Sequence, residues 1–230
     1  MKRIFLTLCC ALALAVTACA ADWPAWAEEA LSWGRERGIS QTYLAAPEAL
    51  VTRGDAAALL YQAAGSPAAA GDCPFTDVSG DLAPAVTWAA EQGCLTGVGD
   101  GRYDPDTPVT REEFAAILYR QAGSPAVSGG SLGAFSDRES LGGWAEIPML
   151  WCVQTGLMKG RTPDTLAPRD TITVAEAASM LQRADVLPDV SGIREDLEVL
   201  TAQPRPIGSE GEADAADYIA RRFEEMGYTV

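Results

Sequence analysis

Histidine is absent from this chain of 230 residues. Because no Cys-x-x-Cys pair stands beyond the first 20 residues either, a zinc site within the chain is not expected. Basic residues are also scarce: 17 Lys and Arg stand against 32 Asp and Glu, which gives a net charge of −15. Nucleic acids and anionic membrane surfaces require a basic stripe that neutralises phosphates. The composition therefore argues against both as partners.

Long apolar runs are missing after the first 20 residues, so nothing there suggests a membrane span. At the start, a basic segment (1–3), an apolar run (4–16) and small residues form the pattern of a secretory signal peptide over residues 1–20. We therefore expect the chain to be exported. Two modes of cleavage stay open: ordinary signal peptidase at the small residues 18–20, or lipoprotein processing that leaves Cys19 lipidated.

The chain does contain a frame that recurs three times, at a period of about 50 residues. Each copy has a Trp, a Gly five residues later, a Pro, and five residues after it a Thr that an acidic residue follows three positions on. The copies are Trp33, Gly38, Pro47, Thr52 and Asp55; Trp88, Gly93, Pro105, Thr110 and Glu113; and Trp151, Gly156, Pro168, Thr173 and Glu176. One such unit cannot bury its apolar face alone, so neighbouring copies are expected to complete one core.

Each copy predicts a helix, a turn and a second helix. The Trp lies at helical spacing from other apolar residues, and the Gly is typical of a helix C-cap. Trp26 shares the predicted apolar face with Trp33, as Trp144 does with Trp151, and we interpret the tryptophans as core anchors rather than ligand platforms. The Thr and the acidic residue predict a capping box at the start of the second helix.

The second copy also carries a turn-rich stretch between its helices, with acidic residues that invite other interpretations. A calcium loop is disfavoured because Arg102 and Pro105 break the ligand spacing of an EF-hand. Asp100, Asp104 and Asp106 are the nearest approach to the paired carboxylates of a hydrolase, and we interpret them as turn residues.

Three cysteines follow the leader, and an odd number allows at most one internal pair. Cys73 and Cys94 both belong to the second copy, so a local disulfide between them is one alternative. Buried free thiols are the other. Cys152 has no partner in its own copy.

Two arginines stand where a helix disfavours them. Arg53 and Arg111 directly follow the capping Thr, in the first helical turn, where the helix dipole opposes a cation. Free backbone N–H groups beside a guanidinium make an anion site that can grip a carboxylate. The alternative is pairing with a nearby acid on a solvated face. We predict that Arg111 is exposed; in the third copy, Val174 takes this place.

Several segments resemble the S-layer homology domain. They are Phe75-Thr76-Asp77-Val78, Gly97 to Pro105, Val109-Thr110-Arg111-Glu112-Glu113-Phe114 with its version of the Thr-Arg-Ala-Glu signature, and Phe135-Ser136-Asp137. The resemblance covers residues 22–186 and implies a mainly α fold. Three helix-turn-helix repeats would form a pseudo-threefold array around a three-helix bundle. We call them repeat 1 (21–67), repeat 2 (72–125) and repeat 3 (132–186).

The resemblance also implies a function. Such repeats bind secondary cell-wall polysaccharide non-covalently in the grooves between them, which would place the protein at the cell wall or in the S-layer. The polymer is anionic and often carries a pyruvate ketal, whose carboxylate fits the anion sites at Arg53 and Arg111. Ligand-binding roles are implied for Asp77 and Gly101 as well. The groove at Val174 would lack the charged contact.

The tail, residues 190–230, has a second resemblance. Its segments 204–212, 215–219 and 226–228 look like the start of the di-zinc exopeptidases that include bacterial leucyl aminopeptidases. None of the residues present would be catalytic; zinc and the catalytic set are implied only for the missing remainder of an α/β peptidase domain. We predict a capping box at Ser209 and Glu212, a helix, and a strand beginning at 228. The alternatives are a helical linker, and an S-layer structural protein with no enzymatic cargo.

Overall fold

The computed structural model describes residues 24–185, 199–200 and 210–225, and this part of the chain is mainly helical, as predicted. The predicted signal peptide, Cys19, the cap at Ser209 and the strand from 228 lie outside the described residues. Among the helices described, none is long and apolar enough to cross a membrane.

Each repeat supplies two main helices. The first helices are α1 (Glu28–Glu36), α4 (Ala83–Glu91) and α6 (Glu146–Gln154), and the second are α3 (Arg53–Ala63), α5 (Arg111–Gln121) and α7 (Val174–Asp185). Repeat 1 adds the short α2 (Gln41–Leu44), and the tail contributes α8 (Glu210–Glu225). Short 3-10 turns at Gly80–Leu82, Arg138–Ser140 and Gly143–Ala145 complete the set that is described.

The predicted caps form in all three repeats. Thr52 and Thr110 each accept a hydrogen bond from the N–H of the acidic residue three positions on, whose carboxylate accepts from the N–H of the threonine. Thr173 and Glu176 exchange the same two bonds, at 3.3 and 3.1 Å. The glycines that follow the first helices have positive φ, between 68° and 83°, a conformation that glycine adopts at little cost.

Helices pair across repeats rather than within them. Helix α3 of repeat 1 packs on α4 of repeat 2, α5 of repeat 2 packs on α6 of repeat 3, and α7 of repeat 3 returns to α1. In the first two pairs, aromatic rings of the two helices pack against each other. The ring centroids are 5.8 Å apart for Tyr61 and Trp88 and 5.7 Å apart for Tyr119 and Trp151. The expectation that neighbouring copies complete one core is thereby confirmed.

Backbone hydrogen bonds close a ring among three buried residues, one from each repeat. The residues directly before the capping threonines, Val51, Val109 and Ile172, are all buried. The N–H of Val51 donates to the carbonyl of Ile172 at 2.9 Å, that of Ile172 to Val109 at 3.0 Å, and that of Val109 to Val51 at 2.8 Å. Each repeat thus donates to one neighbour and accepts from the other. Packing of the helices about a single three-helix bundle stays a prediction.

The tryptophans divide into two groups, and the prediction that they are core anchors holds for only one. Trp88 and Trp151 are buried, and Trp33 is partly buried against the core. Trp26 and Trp144 are 59% and 54% exposed, so for these two the prediction is wrong. They lie at or before the start of α1 and α6, where the helical periodicity that placed them on the buried face does not yet apply.

The three cysteines of the described residues are free thiols. Cys94 and Cys152 are buried and donate weakly to the carbonyls of Ala89 and Ala115, whereas Cys73 is half-buried. The disulfide that the sequence allowed between Cys73 and Cys94 is not formed in this structure. Burial raises the pKa of Cys94, and raises that of Cys152 to about 12.

Candidate functional site

Three junctions between repeats bring together the residues singled out in the sequence. At each junction the first two backbone N–H groups of a second helix donate to the carbonyl of the recurring Pro of the next repeat and to a carbonyl two residues after it, at 2.8 to 3.0 Å. These donors and acceptors are Arg53 and Gly54 with Thr107 and Pro105 (junction 1–2), Arg111 and Glu112 with Asp170 and Pro168 (junction 2–3), and Val174 and Ala175 with Ala49 and Pro47 (junction 3–1). The helix N-termini that were expected to offer free N–H groups are therefore occupied by the neighbouring repeat.

The side chain of Arg53 reaches across junction 1–2 into repeat 2. Its Nε donates to the carbonyl of Tyr103 at 2.9 Å, and its Nη2 to the carbonyl of Thr96 at 2.6 Å. The Tyr103 hydroxyl donates back to the Arg53 carbonyl at 2.8 Å, and the guanidinium lies 4.7 Å from the centre of the Tyr103 ring. Burial raises the pKa of Tyr103, so this hydroxyl stays protonated at neutral pH. Arg53 is held in one orientation by these contacts.

Asp77 and Gly101 form hydrogen bonds that hold the loop whose carbonyls accept from Arg53. The Asp77 carboxylate accepts from the N–H groups of Tyr103 and Asp104, both at 2.8 Å, and the Gly101 carbonyl accepts from the N–H of Thr76 at 2.9 Å. The hydrogen bond from the Tyr103 N–H is the main reason that the pKa of Asp77 lies below its ordinary value. Both residues position the loop, and their direct contact with a polysaccharide stays a prediction.

Arg111 repeats the geometry of Arg53 at junction 2–3. Its Nε donates to the carbonyl of Leu166 at 3.0 Å, and its Nη2 to the carbonyl of Lys159 at 2.8 Å. Arg111 is only 4% exposed, so the prediction that it is exposed is wrong. The reason is that the loop of repeat 3 closes over the guanidinium, which the position of Arg111 in the first helical turn does not reveal.

Carboxylates distinguish the two arginines. Arg111 Nη1 lies 3.3 Å from Glu176, which also pairs with Arg161 at 2.7 Å. Burial lowers the pKa of Arg111, and Glu176 opposes this shift. Arg53 forms no ion pair with any carboxylate of the described residues. The alternative of pairing with a nearby acid therefore describes Arg111, though at a buried position, and not Arg53.

Junction 3–1 has no cation at the equivalent position. Val174 is buried there, and repeat 1 has helix α2 where repeats 2 and 3 have a loop.

In the acidic turn of repeat 2, Asp104 stabilises the turn: it has a positive φ of 60° and accepts from the Thr107 hydroxyl at 2.7 Å. Within the part of the chain that is described, no group of His, Cys, Asp and Glu side chains could hold a metal ion.

Sequence reasoning missed Tyr103 and Glu176 as partners of the arginines. Glu176 was identified only as a helix cap, and Tyr103 was not singled out. A spacing of 63 residues relates Thr96 to Lys159 and Tyr103 to Leu166, the residues that receive Arg53 and Arg111. Aligning the loops of repeats 2 and 3 at this spacing would have indicated that both arginines meet the same kind of backbone site.

A family model described as the S-layer homology domain matches residues 74–115 and 134–178. The matches fall in repeats 2 and 3 and include Arg111, Asp77, Gly101 and Glu176. These two segments of the chain are therefore similar to S-layer homology domains. Arg53, in repeat 1, lies outside the matched segments.

Curated relatives agree with this family. A cellulosome-anchoring protein of Acetivibrio thermocellus is 27% identical over 147 residues, which cover 60% of this chain and 32% of that protein. An S-layer protein of Bacillus thuringiensis subsp. finitimus is 27% identical over 155 residues (66% and 18%), and an endoglucanase of Bacillus sp. (strain KSM-635) is 31% identical over 113 residues (48% and 12%). The matched region thus spans a third or less of these relatives. The family and the relatives support a location at the cell surface or cell wall.

Proposed function

We propose that this chain, whose second and third repeats are similar to S-layer homology domains, anchors a protein to the cell surface by binding secondary cell-wall polysaccharide non-covalently. The polymer would be anionic, and a pyruvate ketal would supply the carboxylate that is recognised. The anchored protein would be exported, as the pattern at residues 1–20 predicts. Two of the relatives carry names that fit such a role, a cellulosome-anchoring protein and an S-layer protein.

The proposal depends on the hydrogen bonding of the Arg53 guanidinium. Its Nε and Nη2 are fixed by two backbone carbonyls, while none of the described carboxylates pairs with it. The guanidinium therefore retains N–H groups on Nη1 that an incoming carboxylate can accept from. Because the side chain is already held in place, little conformational entropy is lost when a ligand binds.

The net charge of −15 makes this local arrangement necessary. The overall field repels an anionic polymer, so attraction has to come from a cation at short range. Arg53 also lies directly after a capping threonine, in the first turn of α3, where the helix dipole adds to its positive potential.

Sedimentation with purified bacterial cell walls tests the proposal. Arg53→Ala should weaken the apparent affinity of the full chain by about 10- to 100-fold, since a charge-assisted hydrogen bond is worth about 1.5–3 kcal/mol. Arg120→Ala removes the same charge from an exposed position at the end of α5 and serves as the matched control. Walls from which mild acid has removed the ketals should bind the unaltered chain as weakly as untreated walls bind Arg53→Ala.

Two results would contradict the proposal in different ways. Failure of the unaltered chain to sediment with any cell wall would contradict anchoring itself. Equal sedimentation of Arg53→Ala and Arg120→Ala would leave anchoring intact and reject Arg53 as the anion site. Circular dichroism of both variants checks that the helices are retained.

The cargo is a further part of the proposal. We propose that the tail begins a di-zinc exopeptidase, on the basis of its resemblance at 204–212, 215–219 and 226–228. Helix α8 at Glu210–Glu225 agrees with the predicted helix, and the family matches end at 178, before the tail. Reading the coding sequence beyond codon 230 tests this: a His, Asp and Glu zinc set should follow. If none follows, the match to an S-layer protein favours a structural role without enzymatic cargo.

A further inference from the structure

We propose that Glu176 closes junction 2–3 to anionic saccharides, so that this chain takes one carboxylate ligand, at Arg53, and not two. This inference rests on the proposed function and concerns the number of sites that perform it. It assigns to Glu176 a role beyond helix capping, and makes it the residue that determines where the ligand binds.

Arg53 and Arg111 share the same pattern of hydrogen bonds to backbone carbonyls. Each donates from Nε and from Nη2 to backbone carbonyls of the following repeat, at distances between 2.6 and 3.0 Å. The two arginines differ in burial, since Arg111 is buried and Arg53 is half-buried, and in the groups around Nη1.

At Arg111, the carboxylate of Glu176 already lies beside Nη1. The Glu176 Oε1 lies 3.3 Å from Arg111 Nη1 and 2.7 Å from Arg161 Nη1, and Arg161 also lies 3.6 Å from Asp170. Glu176 is mostly buried between the two guanidinium groups. Its carboxylate thus already makes the contact that the carboxylate of a pyruvate ketal would make.

Displacing Glu176 would be unfavourable because its other oxygen is used as well. Glu176 Oε2 accepts from the N–H of Thr173 at 3.1 Å, which caps α7. An internal carboxylate that is held by the fold competes at a high effective concentration against a ligand from solution. Moving it would break the cap and leave Arg161 with only its longer contact to Asp170.

At junction 1–2, no cation of the described residues pairs with the capping carboxylate as Arg161 does with Glu176. Glu113 stands at the position of Glu176, but its described hydrogen bonds go only to the N–H and hydroxyl of Thr110, at 2.7 and 2.9 Å. Val98 takes the place of Arg161 and is exposed. Arg53 is therefore left without an internal carboxylate among the described residues.

The decisive measurement can be made on the unaltered full chain. A methyl hexopyranoside that carries a 4,6-pyruvate ketal is titrated while the arginine Nε–Hε resonances are followed by NMR. Only the resonance of Arg53 should move, and calorimetry should give one site. Glu176→Gln, which keeps an oxygen that can cap α7, should raise the number of sites to two. Glu113→Gln makes the same change in the other cap and should leave it at one.

The outcomes separate this inference from the function on which it rests. Two sites in the unaltered chain, or equal shifts of the Arg53 and Arg111 resonances, would overturn the role of Glu176 while supporting anchoring. If Glu176→Gln does not fold, the NMR titration of the unaltered chain decides alone. Absence of binding to both the probe and purified cell walls would overturn the proposed function and this inference with it.

Discussion

Glu112 accepts a hydrogen bond of 2.9 Å from the backbone N–H of Gly142, and this bond ties the start of α5 to the loop that precedes α6. The Glu112 side chain is 1% exposed, and its other oxygen pairs at 2.7 Å with Arg169, which is 60% exposed. A buried carboxylate is thus satisfied on both oxygens. Glu112 stands where the Thr-Arg-Ala-Glu signature has its Ala, so this latch between repeats 2 and 3 departs from the family pattern.

Replacing Glu112 should destabilise the protein. Glu112→Ala leaves the Gly142 N–H without its acceptor and opens a cavity, and we expect the free energy of unfolding to fall by about 2–3 kcal/mol. Urea unfolding followed by circular dichroism measures the loss. Glu139→Ala, at an exposed position, should change the value by less than about 0.5 kcal/mol. Equal midpoints for the two variants would show that the latch contributes nothing to stability.

Asp77 should make stability depend on pH. The pKa of Asp77 is lower in the folded chain than the ordinary value of about 3.9. Its stabilising contribution is therefore fully present above that ordinary value and is lost as the pH falls through the lower, folded pKa. The difference in unfolding free energy between the unaltered chain and Asp77→Asn should be largest at pH 7 and shrink toward pH 3. A difference that grows as the pH falls would contradict this sign.

Gly97 should not tolerate a side chain. A Cβ there would lie 2.7 Å from the carbonyl oxygen of Arg102 and 2.5 Å from the Phe75 ring. We expect Gly97→Ala to lower the free energy of unfolding by about 1–3 kcal/mol, in the range of overpacked sites. Gly71→Ala is the matched control, since its Cβ would meet only the Glu91 side chain, at 3.8 Å. Thermal melts that shift equally for both variants would rule out the steric explanation.

Thiol reactivity should follow burial. Burial raises the pKa of Cys152 to about 12, so this thiol stays neutral and unreactive at pH 8. Iodoacetamide should therefore alkylate the half-buried Cys73 first and reach Cys94 and Cys152 only after unfolding. Peptide mass spectrometry without a reducing agent measures all three sites. A Cys73–Cys94 cross-linked peptide, or early alkylation of Cys152, would contradict the structure.

The local structure at the helix ends could be predicted from the sequence. The capping boxes and the glycines after the first helices depend on residues within a few positions of one another. These patterns follow from helix geometry alone, so the helical class could be predicted with them. The ring of backbone bonds through Val51 could not be predicted, because its bonds join residues on different repeats.

The candidate site was only partly predictable for the same reason. The unusual place of Arg53 and Arg111 after a capping Thr was visible, and it drew attention to the junctions. Whether each guanidinium is free or paired depends on a loop about 50 residues further along, where Val98 stands in one case and Arg161 in the other. The prediction that Arg111 is exposed was wrong because the loop of the next repeat buries its side chain.

The closed ring of Val51, Val109 and Ile172 also limits how this kind of module can evolve. An open solenoid has two terminal units and gains or loses copies at either end. A circle has no end: removing one repeat would break two interfaces at once, and a fourth would need a wider circle than three backbone bonds can span. The buried backbone bonds thus limit the number of repeats, while substitutions at exposed positions such as Val98 and Arg161 leave those bonds unchanged.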